Sequence, residues 1–223
     1  MNKPITAWSY SRLALFEQCP AKYKYQNIDK LDQPKSPAMF RGIKVHDEIA
    51  NFLIGKLDAV PESGKKFEDE LWELREIDAN LVVELKWAFT KDWKPTTWMA
   101  GNVRARIILD AGVIYDDGHA DVIDHKTGKY YADGNYADQL KLFAGAVCKK
   151  YPQVQTITVR LWYLDADKEI TQEFTREEAL DALLEIEDRA DVLLAAKNFP
   201  PRANQFCNWC HFRKSNGGPC DFS

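Results

Sequence analysis

No run of 18 or more apolar residues occurs in the 223-residue chain, which leaves no candidate for a membrane-spanning helix. The N-terminal stretch MNKPITAW lacks both the apolar core and the cleavage site of an export signal, so the expected location is the cytoplasm. An excess of positive charge is missing too. The 30 Lys and Arg face 34 Asp and Glu, a formal charge of -4, which argues against charge-driven coating of nucleic acid. A local basic groove stays open, because carboxylates recruited for metal ions lower the bulk charge. No phosphate-binding glycine-rich loop ending in Gly-Lys-Ser or Gly-Lys-Thr is present, so the chain carries no obvious helicase motif. Internal repeats and low-complexity tracts are absent, and 45% hydrophobic content suffices for one core, a single domain over residues 1–223. Cysteine is scarce and odd in number: Cys19, Cys148, Cys207, Cys210 and Cys220. Without an export signal, metal or cluster ligation fits the grouped ones better than structural disulfides, and Cys148, alone in the apolar stretch LKLFAGAVCKK, reads as a buried small hydrophobe.

What is present is a mixed pattern. TAWSYSRLALFEQCP predicts a short helix ended by Pro20, and the Pro-containing KYKYQNIDKLDQPKSP a loop. FRGIKVHDEIANFLIG carries Val45, Ile49, Phe52 and Leu53 at helical spacing, with His46 on the same helix, and SGKKFEDELWELREID predicts another. Strands are expected in LVVELKWAFT, in the stretch containing RARIILDAG, in HADVIDHKTG after an Asp117-Gly118 turn, and in QTITVRLWYLDAD. NYADQLKLFAGAVCKKY reads as a helix, and TREEALDALLEIEDRADVLLAAKN as a long one opening on a Thr175 to Glu178 capping box. The implied fold class is α/β: a central mixed sheet flanked by helices. The Pro-, Gly- and Cys-rich tail FPPRANQFCNWCHFRKSNGGPCDFS cannot fold by apolar burial alone and is expected to be stapled.

One strand breaks the apolar rule. In HADVIDHKTGK, Asp124 and Lys126 lie two residues apart and therefore on one face of the strand, while Asp110 ends the apolar run RARIILD. If the two strands pair across the Asp117-Gly118 turn, Asp110 and Asp124 meet, and their repulsion calls for a hard, oxygen-ligated cation such as Mg²⁺ or Mn²⁺. Lys126 is then placed to steady an attacking water or the charge developing on a phosphate. Asp116, Asp117 and Asp121 are weaker choices, and Asp121 faces away from Lys126 in a regular strand. In the tail, Cys207-x-x-Cys210 with Cys220 makes three thiolate ligands, the fourth coming from His211 or from Cys19.

Four pieces of the chain, SYSRLALFEQCPAKYKY, GIKVHDEIANFL, Asp110 with DHKTGK, and DQLKLFAGAV, resemble the PD-(D/E)xK nuclease superfamily in that family's order. The likeness points to the branch of RecB-like domains, Cas4 and AddB proteins, and phage exonucleases. It implies a restriction-endonuclease-like core and a Mg²⁺- or Mn²⁺-dependent DNA exonuclease of recombination or repair, in a host cytoplasm if phage-encoded, with a helicase or recombination protein as possible partner. The metal ligands it implies are His46, Asp110 and Asp124, the motif lysine is Lys126, the glutamine of the following helix is Gln139, and Glu84 matches an extra acidic residue near the metals. The resemblance also selects Cys19 as the fourth cysteine ligand, giving a 4Fe-4S cluster on Cys19, Cys207, Cys210 and Cys220 that pins residues 200–223 to residues 1–35; zinc at the same thiolates is the alternative. The other function class is a DNA-binding or scaffold subunit that keeps fold and staple without cutting.

For the substrate, Lys22, Tyr23, Lys24 and Tyr25 interleave charge with aromatic faces, and Arg12 precedes them, a composition suited to single-strand phosphates and bases. Arg104 and Arg106 can add phosphate contacts, and Trp93 and Trp98 either stack at a duplex end or cap the core. Nothing in the sequence reads base identity.

Overall fold

A computed structural model describes residues 5–131 and 136–221. Its centre is a sheet of six strands, β1 (Asn80–Phe89), β2 (Pro95–Thr96), β3 (Ala105–Ile114), β4 (His119–Lys126), β5 (Thr156–Tyr163) and β6 (Lys168–Thr175), in the order β2-β1-β3-β4-β5-β6. All neighbours are antiparallel except β4 and β5, so the sheet is mixed as expected. The β3–β4 hairpin turns at Asp117-Gly118, where Gly118 has φ +88° and the Asp117 carboxylate accepts the His119 N–H at 2.9 Å. The parallel step from β4 to β5 needs a crossover, and helix α5 (Ala137–Lys150) provides it.

Helices cover both faces. On one, α1 (Tyr10–Gln18), α5 and α6 (Arg176–Ala195) pack Leu13, Val147, Leu183 and Ile186 with Ile107, Leu109, Val122 and Val159 of the sheet. Gly145 lets α5 and α6 approach: a Cβ there would stand 2.8 Å from Leu183 Cβ. The Thr175–Glu178 capping box opens α6 as the sequence predicts. On the other face, α3 (Pro37–Leu53) and α4 (Glu68–Glu76) bury Ile49, Phe52 and Leu71 against Ala111, Val113, Ile123 and Trp162.

Two strands go beyond the sequence-based expectation. β6 is an edge strand in which only Phe174 is buried and Ile170 and Gln172 are partly so, and β2 is a two-residue pairing with β1; with Gln172 between the two apolar residues, and only two residues in β2, neither stands out as an apolar alternation. The KYKYQNID region also differs from the expected loop. Pro20 ends α1 but serves as the first residue of α2 (Pro20–Tyr23), which runs into a π-helical turn at Lys24–Ile28. Burial drives this: Tyr23 is 2% exposed, stacked on Phe199 and edge-on to Phe16. Ahead of α1, Trp8 bridges to β3, its N–H donating to Arg104 O at 2.8 Å and its carbonyl accepting from Arg106 N–H at 2.9 Å.

The tail lies on this N-terminal region. Asn204 Nδ2 donates to Gln18 O at 3.1 Å, Tyr25 packs on the buried Phe212, and Tyr25 O–H donates to Pro219 O at 3.5 Å. No described helix is long and apolar enough to cross a membrane.

Candidate active site

The site forms where β1, β3 and β4 stop behaving as regular strands. In β3, Ala105, Ile107 and Leu109 pack toward α5 and α6, yet Ala111 and Val113 pack toward α3 and α4, so the two-residue alternation reverses phase at Asp110. β1 reverses at the matching place: Trp87 and Phe89 belong to the first core, Leu81 and Val83 to the second, and Glu84 between them has φ +50°. A left-handed glutamate inside a strand costs about 1–2 kcal/mol, a strain that persists where the surroundings impose it. The β1–β3 register steps from Val83↔Ala111 to Leu85↔Leu109 and leaves Glu84 facing Asp110. The β3–β4 pairing ends at Ala111↔Ile123, one step before Asp110 and Asp124. Three acidic residues thus converge where the strands part.

Helix α3 closes the site from one side. Ser36 caps it, accepting the Met39 N–H at 3.2 Å, and Pro37 occupies its first turn. A Cβ on Gly42 would lie 3.2 Å from Thr127 Oγ1, so glycine allows the helix to pass close to the end of β4. One turn later His46 reaches inward, Nδ1 3.0 Å from Asp110 Oδ1. The spacing from Gly42 to His46 is therefore a packing requirement followed by a side chain aimed at Asp110.

Asp110 is 7% exposed. Its Oδ2 accepts the His125 backbone N–H at 2.7 Å and lies 3.8 Å from His125 Nδ1. Burial pushes its carboxyl up, but the hydrogen bond from His46 and the nearby His125 outweigh this and hold it below the usual range. In return the bond to Asp110 raises His46, against the opposing effect of burial. Asp124 behaves differently. Burial, with added repulsion from Asp110, pushes it up to about 6 even though Lys126 works in the other direction. Lys126 Nζ lies 2.5 Å from Asp124 Oδ2 and donates to Gln139 Oε1 at 2.9 Å, while Gln139 Nε2 donates to Asp124 Oδ1 at 3.2 Å. Asp124, Lys126 and Gln139 form a closed triangle between β4 and α5. Glu84 is raised as well, by burial first and then by Asp110.

Ligand atoms of His46, Asp110 and His125 all lie within 4.8 Å of one another. His125 is 2% exposed, burial drives its pKa down to about 4, and its Nε2 is buried without a hydrogen-bond partner among the described residues. The ring turns Nδ1, not the unpartnered Nε2, toward Asp110, and two imidazoles and a carboxylate within this spacing have donor chemistry that suits a metal ion. Reading HADVIDHKTGK for its acidic and basic pair passes over His125. Strand alternation carries the signal, since the residue between Asp124 and Lys126 must face the opposite side, toward α3.

Asp121 belongs elsewhere: it accepts from Tyr115 O–H at 3.0 Å and pairs with Arg160 at 3.5 Å. The residues expected to touch nucleic acid separate into groups. Arg12 lines a groove with Trp98, Arg106 and Gln139. Arg104 is ion-paired with Asp191 of α6. Lys24 pairs with Asp29 at 2.5 Å, Tyr25 is packed on the tail, and Lys22 lies on the wall of a second cavity. Trp93 caps the core, 6% exposed, its Nε1 donating to Glu187 at 2.8 Å.

Cys19, Cys207, Cys210 and Cys220 all line that second cavity. Cys19 Sγ accepts the Arg202 N–H at 3.5 Å and Cys207 Sγ the Asn204 N–H at 3.4 Å. Among the described residues, the four sulfurs do not form a group with the 4.8 Å mutual spacing found at His46, Asp110 and His125. Cys148 is fully buried in α5, as expected of a core residue.

A helix-flanked mixed sheet whose parting strands present buried carboxylates, a lysine and a histidine cluster defines a nuclease-type core with a candidate metal site. The chain belongs to the PD-(D/E)XK nuclease superfamily, whose family model matches residues 7–215. Two solved structures are similar to it. One is described as SSO0001, with 17% identity, 95% of this chain and 86% of that chain covered, and a TM-score of 0.48. The other is described provisionally as an exonuclease from Eubacterium rectale, with 12% identity, 92% and 87% covered, and a TM-score of 0.50. No curated protein matches the chain.

Proposed function

We propose that this protein is a metal-dependent deoxyribonuclease that hydrolyses phosphodiester bonds, working as an exonuclease in DNA recombination or repair. The observation that carries the reading is the convergence of Asp110 and Asp124 at the parting of β3 and β4, with Lys126 tied to one of them. His46, Asp110 and Asp124, with Glu84 assisting, would hold Mg²⁺ or Mn²⁺, while His125 belongs to the group on the α3 side that His46 and Asp110 form and that does not include Asp124. Imidazole donors favour Mn²⁺ of the two. A bound ion of this kind polarises a phosphate oxygen and acidifies water.

The protein's own residues account for the rest. Lys126, held by Asp124 and Gln139, keeps an ammonium aimed at the acidic cluster, where it can donate to a phosphate oxygen or fix a water for in-line attack. Gln139 orients that amine. His46 holds Asp110 in its ionised form, and burial of the cluster excludes bulk water.

End-labelled DNA digested with each ion, beside the Lys126→Ala protein, tests the assignment. Wild type should release product and the variant should cut about 10²–10⁴-fold more slowly. Equal cutting by the variant would end it; tight DNA retention without product in either ion would favour the scaffold role.

We further propose that the cysteine cavity holds a 4Fe-4S cluster, which fastens the tail to the N-terminal helices. Four cysteines share one cavity, and two of their sulfurs accept backbone N–H groups, the usual surroundings of cluster thiolates. A tetrahedral zinc at about 2.3 Å would draw its thiolates to roughly 3.8 Å apart, whereas a four-iron cluster holds one thiolate per iron and spaces them more widely. Anaerobically purified protein should be brown, with absorbance near 400 nm and about four irons per chain. Colourless, zinc-containing protein would overturn this.

A further inference from the structure

A groove of about 290 Å³ runs between the segment preceding α1, the Trp98 loop and α5, and Gln139 of the lysine triangle forms part of its wall. That volume matches a small-ligand pocket, the scale of a nucleotide or two and not of a double helix. Two arginines, Arg12 and Arg106, share its wall. Arg41, Arg104, Arg160 and Arg189 are each committed to carboxylates. Arg12 and Arg106, like Arg75, Arg176, Arg202 and Arg213, meet backbone carbonyls instead, Ala7 O at 3.5 Å and Trp98 O at 3.2 Å; among the described residues no carboxylate pairs with either, and the two sit beside Gln139 of the lysine triangle in one groove. In a chain of net charge -4, two uncompensated guanidinium groups on one concave wall form a local anion site. The Arg106 guanidinium also lies 5.5 Å from the centre of the half-buried Trp98 ring, which fixes both. The exposed Ile108 adds apolar surface.

Guanidinium groups alternating with an aromatic ring, and without side chains arranged to read base edges, suit phosphates and base faces of an unpaired strand; in a duplex the base faces are stacked away. We infer that this groove binds one unpaired DNA strand, with phosphates at Arg12 and Arg106 and a base on Trp98, and delivers it to the cleavage site past Gln139. The substrate is then single-stranded DNA or an unpaired end. This rests on the nuclease reading for its consequence, but the binding can be measured without cleavage.

The experiment is fluorescence anisotropy of a labelled single-stranded oligonucleotide, and of the same sequence as a blunt duplex, with full-length protein in EDTA. The single strand should bind at least tenfold more tightly. Arg12→Gln and Arg106→Gln should each weaken it several-fold and reduce the slope of log affinity against log salt by about 0.7. Trp98→Ala should weaken it roughly tenfold and Trp98→Phe restore most of the loss, with circular dichroism confirming the fold. Lys168→Gln, on the exposed edge strand β6, controls for net charge and should change nothing. Equal affinity for the duplex, or single-strand affinity within twofold of wild type in the three groove variants, would overturn the inference. The two readings fail separately: a Lys126→Ala protein that still cuts would remove the nuclease assignment and leave the groove result intact.

Discussion

β3 and β4 carry an acidic and histidine-containing cluster at each of their ends, and the two are built differently. At the turn end, Asp121 meets Tyr115, His119 and Arg160, and His119 in turn bonds Thr156 at 2.8 Å and Thr158 at 3.2 Å. The strands stay paired there, and the Tyr115 hydroxyl is pushed up to about 12 by burial and by Asp121. At the other end pairing stops, and Asp110, Asp124 and Glu84 crowd around Lys126 and His46. One end keeps its strands paired around its charged groups; the other gathers three carboxylates where pairing stops, two of them with raised pKa values. An aspartate on a strand is thus no sign of chemistry by itself. The imbalance around it, together with the break in pairing, is.

The sharpest way to break this contrast is a matched pair of substitutions. Asp110→Asn should lower DNA cleavage by about 10²–10³-fold, whereas Asp121→Asn should leave cutting within about threefold and lower Tm by a few degrees. Comparable losses of activity would erase the distinction. Next in size is Gly42→Val. Its side chain would press on Thr127 and displace α3, so cleavage should fall about tenfold in a protein that remains folded, read as kcat/KM beside circular dichroism.

A smaller effect concerns pH. Asp124 has its folded pKa raised above the ordinary carboxylate value of 3.8, to about 6. Its protonated form is therefore favoured by the fold: the stabilising contribution is present below about pH 4 and is lost as pH rises through about 6. In metal-free protein, Asp124→Asn should flatten the fall in Tm between about pH 4 and pH 6, and Mn²⁺ should flatten it in wild type by favouring the carboxylate. A variant with the wild-type slope would contradict the assigned burial. Least in magnitude is Glu84→Gly, which relieves a left-handed backbone and should hold or raise stability by up to about 1 kcal/mol while reducing cleavage. A loss of stability would show that the glutamate is structurally required.

Much of this was legible in the residues. The Thr175–Glu178 box, the Asp117-Gly118 turn and the alternation that puts Asp124 and Lys126 on one face are local rules, and local rules survive folding. Edge strand β6 escaped because an edge exposed on most positions need not alternate strongly, and α2 escaped because the ring that buries Tyr23 from the far side, Phe199, lies far along the chain. His125 was legible in principle, and hidden by attention to its charged neighbours.

The amino-acid order alone determined the succession of the main helices and of β1, β3, β4 and β5, the face shared by Asp124 and Lys126, and the helix that carries His46. Only the tertiary structure decided that β1 and β3 reverse phase together, that Glu84 therefore looks at Asp110, and that Arg12 and Arg106 are left without acidic partners while Arg104 finds Asp191. The reason is physical: periodicity fixes the direction of a side chain relative to its own backbone, but its charge is balanced or left over according to which distant segments packing brings within a few ångströms of it.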